Sequence, residues 1–160
     1  CPCGMTGVED RVCLCPTGAA ARYGARISGP LRDRIDLWVM LPRVPPAQLL
    51  NTASPESSAT VAARIAFARR LQQDRQSGRL NAKLGGRALA AVARTSPSVR
   101  RRLVELAELE DLSARGTERM LRVARTIADL AGCAAVASTH LEEAARFRSP
   151  ARRLAEQLAG

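Results

Sequence analysis

The chain has 160 residues, which is enough for one ordinary domain or for a small domain with an appendage. Hydrophobic residues make up 46% of it and aromatic residues only 2%, so the composition favours helices with small-residue packing and argues against a β-sandwich. The net charge of +10, carried almost wholly by arginines, points to nucleic acid or nucleotide phosphates as partners, although a genomic preference for arginine codons explains part of it.

The chain shows no sign of a membrane protein. It begins without the apolar core of a signal peptide, and no stretch approaches ~18 uninterrupted apolar residues. We therefore expect a cytoplasmic protein that makes no membrane contact. In that reducing compartment, clustered cysteines are more often metal ligands than disulfides.

The opening stretch "CPCGMTGVEDRVCLC" holds four of the five cysteines, as two C-x-C pairs. Four thiolates at this spacing can bind one Zn²⁺, although C-x-C is tighter than the usual C-x₂-C knuckle. Reduced thiols and disulfides are the alternatives, whereas a catalytic thiol is disfavoured because no base accompanies the cluster. The candidate ligands are Cys1, Cys3, Cys13 and Cys15.

A short helix is expected over residues 17–23, followed by a charged turn and the apolar run "IDLWVML" at 35–41. Continuous apolar character is typical of a strand buried on both faces of a parallel sheet, with Trp38 in the core. One strand cannot form such a sheet, so its partners are missing or come from other chains. Without them, we expect residues 1–42 to be partly unfolded.

From residue 57 onward the pattern is helical, and it predicts a bundle of about five helices joined by short loops. A T-x-x-E pattern predicts a capping box between Thr139 and Glu142. The first helix is expected to face inward through Val61, Ile65, Ala68 and Leu71. The helices are expected over 57–76, 86–94, 97–109, 113–132 and from 139, with a last short one over 150–158.

The helix "SARGTERMLRVARTIADL" at residues 113–130 carries a distinct charge pattern. At about 100° per residue, Arg115, Arg119 and Arg122 fall within about 60° of each other, opposite the apolar side. Arg115 also lies in the first turn, where the helix dipole attracts anions. Both features suit a phosphate group. The alternative is a solvated arginine face, paired with Glu118 or Asp111.

Arg34 is a second candidate, in the segment "SGPLRDRIDL" at residues 28–37. A loop that leads into a buried strand can project an arginine across a subunit interface, where it would stabilise charge on a transferring phosphoryl group. The alternative is a surface ion pair between Arg34 and Asp33 or Asp36.

Six motifs follow one another along the chain: "CPCG", "RISGPLRDRIDL", "ESSA", "LNAKL", "LSARGTERMLRVARTIADLAG" and "HLEEAARFR". Together they resemble the magnesium-chelatase-like AAA+ ATPases of the ComM (YifB) type. The resemblance covers essentially the whole chain, in the same order. The family usually has leucine at the position of Arg32, so this chain carries an additional charge beside Arg34.

Members of this family have an AAA+ core and a C-terminal helical lid. The resemblance implies that Arg34 is the arginine finger, which reaches a neighbouring subunit's ATP. It implies that Arg115 is the sensor-2 arginine at the γ-phosphate, with Arg119 and Arg122 as weaker phosphate contacts. It also implies a mainly α fold with three parts. Residues 1–45 would be the end of the AAA+ α/β core, with a cysteine hairpin and the last core strand. Residues 46–56 would be a linker, and residues 57–160 the helical lid.

The sequence contains no G-x-x-x-x-G-K-[ST] motif. The resemblance therefore implies a C-terminal fragment that hydrolyses no ATP by itself. The implied whole protein is a self-associating ATPase, expected to form a hexameric ring, that uses ATP and Mg²⁺ for DNA branch migration or helicase activity in competence or recombination. The alternatives are a remodelling ATPase of the same type that does not act on DNA, and a non-enzymatic basic helical binding module.

Overall fold

The computed structural model describes residues 1–6, 8, 11–39, 41, 44 and 56–148, and of Arg32 only the backbone. These residues belong to two compact units, divided between residues 52 and 53. The described part of the chain is mainly helical, as predicted. None of the helices within it is long and apolar enough to cross a membrane.

The first unit contains two short helices, α1 (Ala19–Gly24) and α2 (Gly29–Arg32). Helix α1 confirms the helix predicted over 17–23. Helix α2 is an addition to the predicted elements, and it begins after Ser28, whose hydroxyl accepts a hydrogen bond from the N–H of Leu31 at 3.4 Å.

The strand predicted over residues 35–41 does not form in the described part of that stretch, 35–39 and 41. Leu37 is 51% exposed and Leu41 85% exposed, while Trp38 is only half-buried. A strand needs a neighbour to pair its backbone groups, and none of the described residues forms one. The predicted linker, apart from its last residue, and the predicted helix over 150–158 lie outside the described residues.

The described residues of the second unit form five α-helices and one 3₁₀ turn, which confirms the predicted helical bundle. The helix limits agree with the predicted ones to within two residues. The elements are α3 (Ser58–Arg75), the 3₁₀ turn (Asn81–Lys83), α4 (Gly86–Ala93), α5 (Pro97–Leu109), α6 (Ala114–Leu130) and α7 (Ser138–Ala145).

Serine side chains begin the three longest helices. The hydroxyls of Ser57, Ser96 and Ser113 each accept a hydrogen bond from a backbone N–H three residues later, at 3.1–3.2 Å. Each bond satisfies one N–H group that the helix itself leaves unpaired, and such a cap contributes ~1 kcal/mol. Helix α6 is terminated by Gly132, two residues after Leu130; its φ of 68° suits glycine and allows the N–H of Cys133 to reach the carbonyl of Ala128 at 2.8 Å.

Helix α6 lies at the centre of the second unit and packs against α3, α4, α5 and α7. Its residues Met120, Ala124 and Ala128 are completely buried. They form one apolar cluster with Leu106 of α5 and Leu141 of α7. Burying a large apolar side chain stabilises the fold by ~1.5–3 kcal/mol, so this cluster supplies much of the unit's stability.

Further buried residues of α6 are charged. The carboxylate of Asp129 accepts hydrogen bonds from the guanidinium of Arg75 at 2.6 and 3.0 Å, from Asn81 at 2.8 Å and from Arg125 at 2.9 Å. Arg125 also donates to the carbonyls of Cys133 and Ala134. This network (Arg75, Asn81, Arg125, Asp129) joins the end of α3, the 3₁₀ turn and the loop after α6 to one carboxylate.

Two local predictions in this unit are wrong. Ile65 is 42% exposed, whereas Gln72 is only 5% exposed, so the buried side of α3 is partly polar. Helix α7 begins after Ala137, one residue earlier than predicted, and its cap is His140, whose Nδ1 accepts the Ala137 N–H at 3.0 Å. An imidazole nitrogen can replace a carboxylate in this role because it is also a hydrogen-bond acceptor.

Candidate functional site

The start of α6 is fixed by local hydrogen bonds. The hydroxyl of Ser113 accepts from the N–H of Gly116 at 3.1 Å, and the hydroxyl of Thr117 donates to the carbonyl of Ser113 at 3.0 Å. This 17-residue helix therefore presents the first-turn N–H groups and the positive end of its dipole at a well-defined place.

A cavity of about 400 Å³ lies at this helix start, and three arginines and one glutamate give its lining a net charge of +2. Arg115 is exposed, while Arg119 and Arg122 are half-buried. The predicted arginine stripe therefore surrounds one concavity. Guanidinium groups beside a helix N-terminus form an environment that stabilises a phosphate group. The lining residues are Ala114, Arg115, Glu118, Arg119 and Arg122.

Arg122 is held by partners within the protein. Its Nε and Nη2 donate to the carbonyl oxygen of Leu84 at 3.0 and 2.8 Å, and Nη2 also donates to Oε1 of Glu118 at 2.7 Å. The alternative predicted from the sequence, an ion pair of this arginine stripe with Glu118, is therefore present at Arg122. Because of these bonds, Arg122 ties the loop before α4 to the cavity wall.

Gly85 allows that loop to approach α6 closely. A Cβ atom at this position would lie 3.0 Å from Oε1 of Glu118, which is too close without a shift of the carboxylate. No sequence pattern signals this contact, because Leu84 and Arg122 are 38 positions apart. The loop therefore contributes to the site only through the tertiary fold.

Arg34 belongs to the first unit. It lies two positions after the last residue of α2, and its N–H donates to the carbonyl of Leu31 at 3.0 Å. Its side chain is exposed. The local turn thus presents the guanidinium to solvent, beside Asp33 and Asp36 in the sequence.

The four N-terminal cysteines form one cluster. Three Sγ–Sγ distances are short: 3.4 Å from Cys1 to Cys3, and 3.6 Å from Cys13 to each of these. The ligand atoms of all four, including Cys15, lie within 4.8 Å of one another. All are free thiols in the structure. We call this group (Cys1, Cys3, Cys13, Cys15) the cysteine cluster.

Thr6 is the polar neighbour of the cysteine cluster. Its N–H donates to Sγ of Cys1 at 3.2 Å, and its hydroxyl donates to Sγ of Cys13 at 3.4 Å. The pKa of the Cys13 thiol is lowered to about 7, first because of the Thr6 hydroxyl and then because of a backbone hydrogen bond from Cys15. For Cys3, a hydrogen bond from the Met5 backbone lowers the pKa, but the contact with Cys15, desolvation and the contact with Cys13 together outweigh it and raise the pKa.

The geometry of the cysteine cluster fits a single tetrahedral metal ion. Four sulfurs at about 2.3 Å from a central Zn²⁺ lie about 3.8 Å from each other. The three separations among Cys1, Cys3 and Cys13 are 3.4–3.6 Å, close to that value, and Sγ of Cys15 lies within 4.8 Å of the other three. Iron–sulfur clusters distribute their cysteine ligands over several metal atoms, so the sulfurs lie farther apart. The donor set can therefore hold one soft, four-coordinate cation.

Comparison with known families supports the resemblance noted in the sequence. Residues 55–148 match the family model described as "Magnesium chelatase, subunit ChlI C-terminal". Residues 1–49 match the model described as "Magnesium chelatase, subunit ChlI". The two matched ranges include the cysteine cluster, Arg34 and the α6 cavity.

Similar proteins occur in several bacteria. The uncharacterized protein YifB of Salmonella typhimurium is 39% identical over 136 residues, which cover 84% of this chain and 27% of YifB. An uncharacterized protein of Mycobacterium bovis is 36% identical over 151 residues, covering 92% of this chain and 29% of that protein. The competence protein ComM of Haemophilus influenzae is 35% identical over 134 residues, covering 83% and 26% respectively. This chain thus spans less than a third of the length of these relatives.

Proposed function

The chain belongs to the magnesium chelatase family of subunit ChlI and its relatives, and we propose that it supplies the C-terminal region of a ring-forming AAA+ ATPase. In this proposal the second unit is the helical lid, which closes over ATP bound by a core that carries the P-loop. Mg²⁺ would be bound with the ATP by that core. The proposed location is the cytoplasm.

The observation that carries this proposal is the positively charged cavity at the start of α6. We assign Arg115 as the sensor-2 arginine because it lies in the first turn, is exposed and lines the cavity. Its guanidinium would stabilise the charge that spreads over the γ-phosphate oxygens during phosphoryl transfer. Arg119 is the second phosphate contact in this proposal. Arg122 would act mainly by holding the wall of the cavity, because its donors bond Leu84 and Glu118.

We assign Arg34 as the arginine finger. An exposed guanidinium two positions after a short capped helix can reach a neighbouring subunit's ATP when copies assemble in a ring, expected to be a hexamer. An arginine supplied in trans accelerates hydrolysis by about 10³–10⁵ in other nucleotide hydrolases. This role requires self-association. Because this chain has no P-loop motif to bind ATP, we expect it to show no ATP turnover by itself.

We propose DNA as the partner of the whole ATPase, with branch migration or unwinding as the work done. The support is the net charge of +10 and the similarity to a relative named as a competence protein. A remodelling ATPase that does not act on DNA would keep both arginine roles but show no stimulation by DNA. A non-enzymatic basic binding module would keep neither arginine role.

The experiment that tests the proposal is ATP hydrolysis by the whole ATPase with Arg115→Ala and Arg34→Ala. We expect each variant to lose at least ~100-fold in turnover, because each removes a charge from the reacting phosphate. Arg101→Ala, at an exposed position on α5, is the matched control and should leave turnover unchanged. Normal turnover in both variants would overturn the assignments. Addition of DNA distinguishes the DNA motor from the remodelling ATPase.

For the cysteine cluster we propose Zn²⁺ as the bound metal. Thiolates favour zinc among the common divalent ions, and the mutual distances fit its tetrahedral shell. All four positions would be filled by protein ligands, so the ion would be structural and would leave no site open for catalysis.

A further inference from the structure

The first unit has no hydrophobic core among its described residues. Not one of the described residues between 1 and 44 is buried. Val12 and Leu14, beside the second cysteine pair, are 81% and 88% exposed. Segments of this length rarely fold on apolar burial alone, and they usually need a disulfide, a metal ion or a partner. An interaction other than apolar burial must therefore stabilise this unit.

The cysteine cluster supplies the contacts that bring distant parts of this segment together. Cys13 lies 3.6 Å from Cys1, twelve positions away, and Thr6 bonds both of them. Four thiol groups this close to one another gain little by themselves, since S–H is a weak donor. A metal ion at their centre would replace these weak contacts by four bonds.

A run of local turns connects the cysteine cluster to Arg34. Backbone hydrogen bonds between residues three or four apart follow one another from Pro16 to Arg34, through α1 and α2. Turns and helices this short are not stable in isolation, because their first hydrogen bonds do not offset the cost of ordering the chain. They can persist when one end of the run is held in place.

We infer that Zn²⁺ bound by the cysteine cluster folds the segment 1–39, so that the metal determines whether Arg34 is presented on an ordered turn. The metal replaces the missing core, because the free energy of binding to a site that is absent from the unfolded chain becomes free energy of folding. Binding exchanges the thiol protons for the ion and changes no oxidation state. The link to ATP hydrolysis, but not the folding effect, depends on the finger role proposed for Arg34.

The test uses this chain with a phosphine reductant present, so that disulfides cannot form. The metal is removed with a chelator and Zn²⁺ is added back, while metal content and backbone hydrogen exchange are measured. We expect one Zn²⁺ per chain and exchange at least ~10-fold slower over residues 16–34, with exchange over 56–148 unchanged. Co²⁺ in place of Zn²⁺ should give the visible absorption of a tetrahedral thiolate site.

Variants separate the possible outcomes. Cys13→Ser should lose both the metal and the protection of residues 16–34. Cys133→Ser, which removes the exposed cysteine outside the cluster, is the matched control and should lose neither. No metal in the unchanged chain would overturn the zinc site itself. If one Zn²⁺ binds per chain but hydrogen exchange over residues 16–34 does not become slower, the zinc site is correct and its proposed folding role is wrong. Neither result affects the Arg34→Ala experiment, which tests the finger role separately.

Discussion

The two units differ in what holds them together. In residues 56–148, Met120 and Leu141 are completely buried in one apolar cluster, and a buried carboxylate joins three elements through four hydrogen bonds. In the first unit none of the described residues is buried, and the cysteine cluster brings Cys1 and Cys3 close to Cys13 and Cys15. One part of the chain is therefore stabilised by its own packing, whereas in our proposal a bound ion stabilises the other.

This difference has a functional meaning under the proposed role. The α6 cavity lies in the unit with a core, so packing positions the helix that carries its arginines. Arg34 lies in the unit whose described residues form no core, so under our proposal its position depends on the metal and on neighbouring subunits. Perturbations of the two sites should therefore have separate effects.

The largest expected effect is that of Asp129→Ala. The change leaves the buried charge of Arg125 without its carboxylate, and removing one member of such a pair typically costs about 3–5 kcal/mol. Chemical denaturation of the second unit, followed by helical circular dichroism at pH 7, measures this loss. Asp74→Ala, at an exposed position on α3, is the control and should stay within ~0.5 kcal/mol of the parent chain.

The same carboxylate gives a pH test. Burial raises the pKa of Asp129, but hydrogen bonds from Arg75 and Asn81 and the charge of Arg125 outweigh burial, so the pKa lies below its ordinary value. A depressed carboxyl pKa stabilises the fold above the unfolded pKa of about 3.9, and this contribution is lost as the pH falls towards the folded pKa. Asp129→Asn should show a weaker loss of stability in acid. If the parent chain and Asp129→Asn lose stability equally as the pH falls, then protonation of Asp129 does not contribute to the acid sensitivity of the fold.

The contrast between the units also explains what could be predicted from the sequence. The starts of α5 and α6 were predictable because Ser96 and Ser113 act on N–H groups three residues away. The cysteine cluster was predictable as a metal candidate because its ligands lie in two tight pairs. The bond between Arg75 and Asp129 joins residues 54 positions apart, so no local pattern signals it. The strand at 35–41 was expected from its apolar residues, but pairing requires neighbours that a local pattern does not supply.

An intermediate effect is expected for Thr6→Val, which acts on the first unit alone. The variant removes the hydroxyl that donates to Cys13 and keeps the side-chain volume. Loss of a hydrogen bond to a metal ligand typically weakens metal affinity by ~10–100-fold. Competition for Zn²⁺ with a chromophoric chelator measures the change, and Thr6→Ser, which retains the hydroxyl, should restore most of the affinity. Equal affinities in all three chains would mean that Thr6 contacts the cluster without tuning it.

The smallest effect is expected for Ser113→Ala, at the point where the fold of the second unit meets the proposed phosphate site. The variant removes the hydroxyl that accepts the Gly116 N–H, and loss of such a cap costs ~1 kcal/mol. Because Met120 and the rest of the core remain, this loss should appear as faster hydrogen exchange in the first turn of α6, with the other helices unchanged. Ser113→Thr keeps the acceptor and should behave like the parent chain. Unchanged exchange in the alanine variant would mean that core packing, without the capping bond, fixes the first turn of α6. The contrast between a unit held by its core and one without a core would then be stronger.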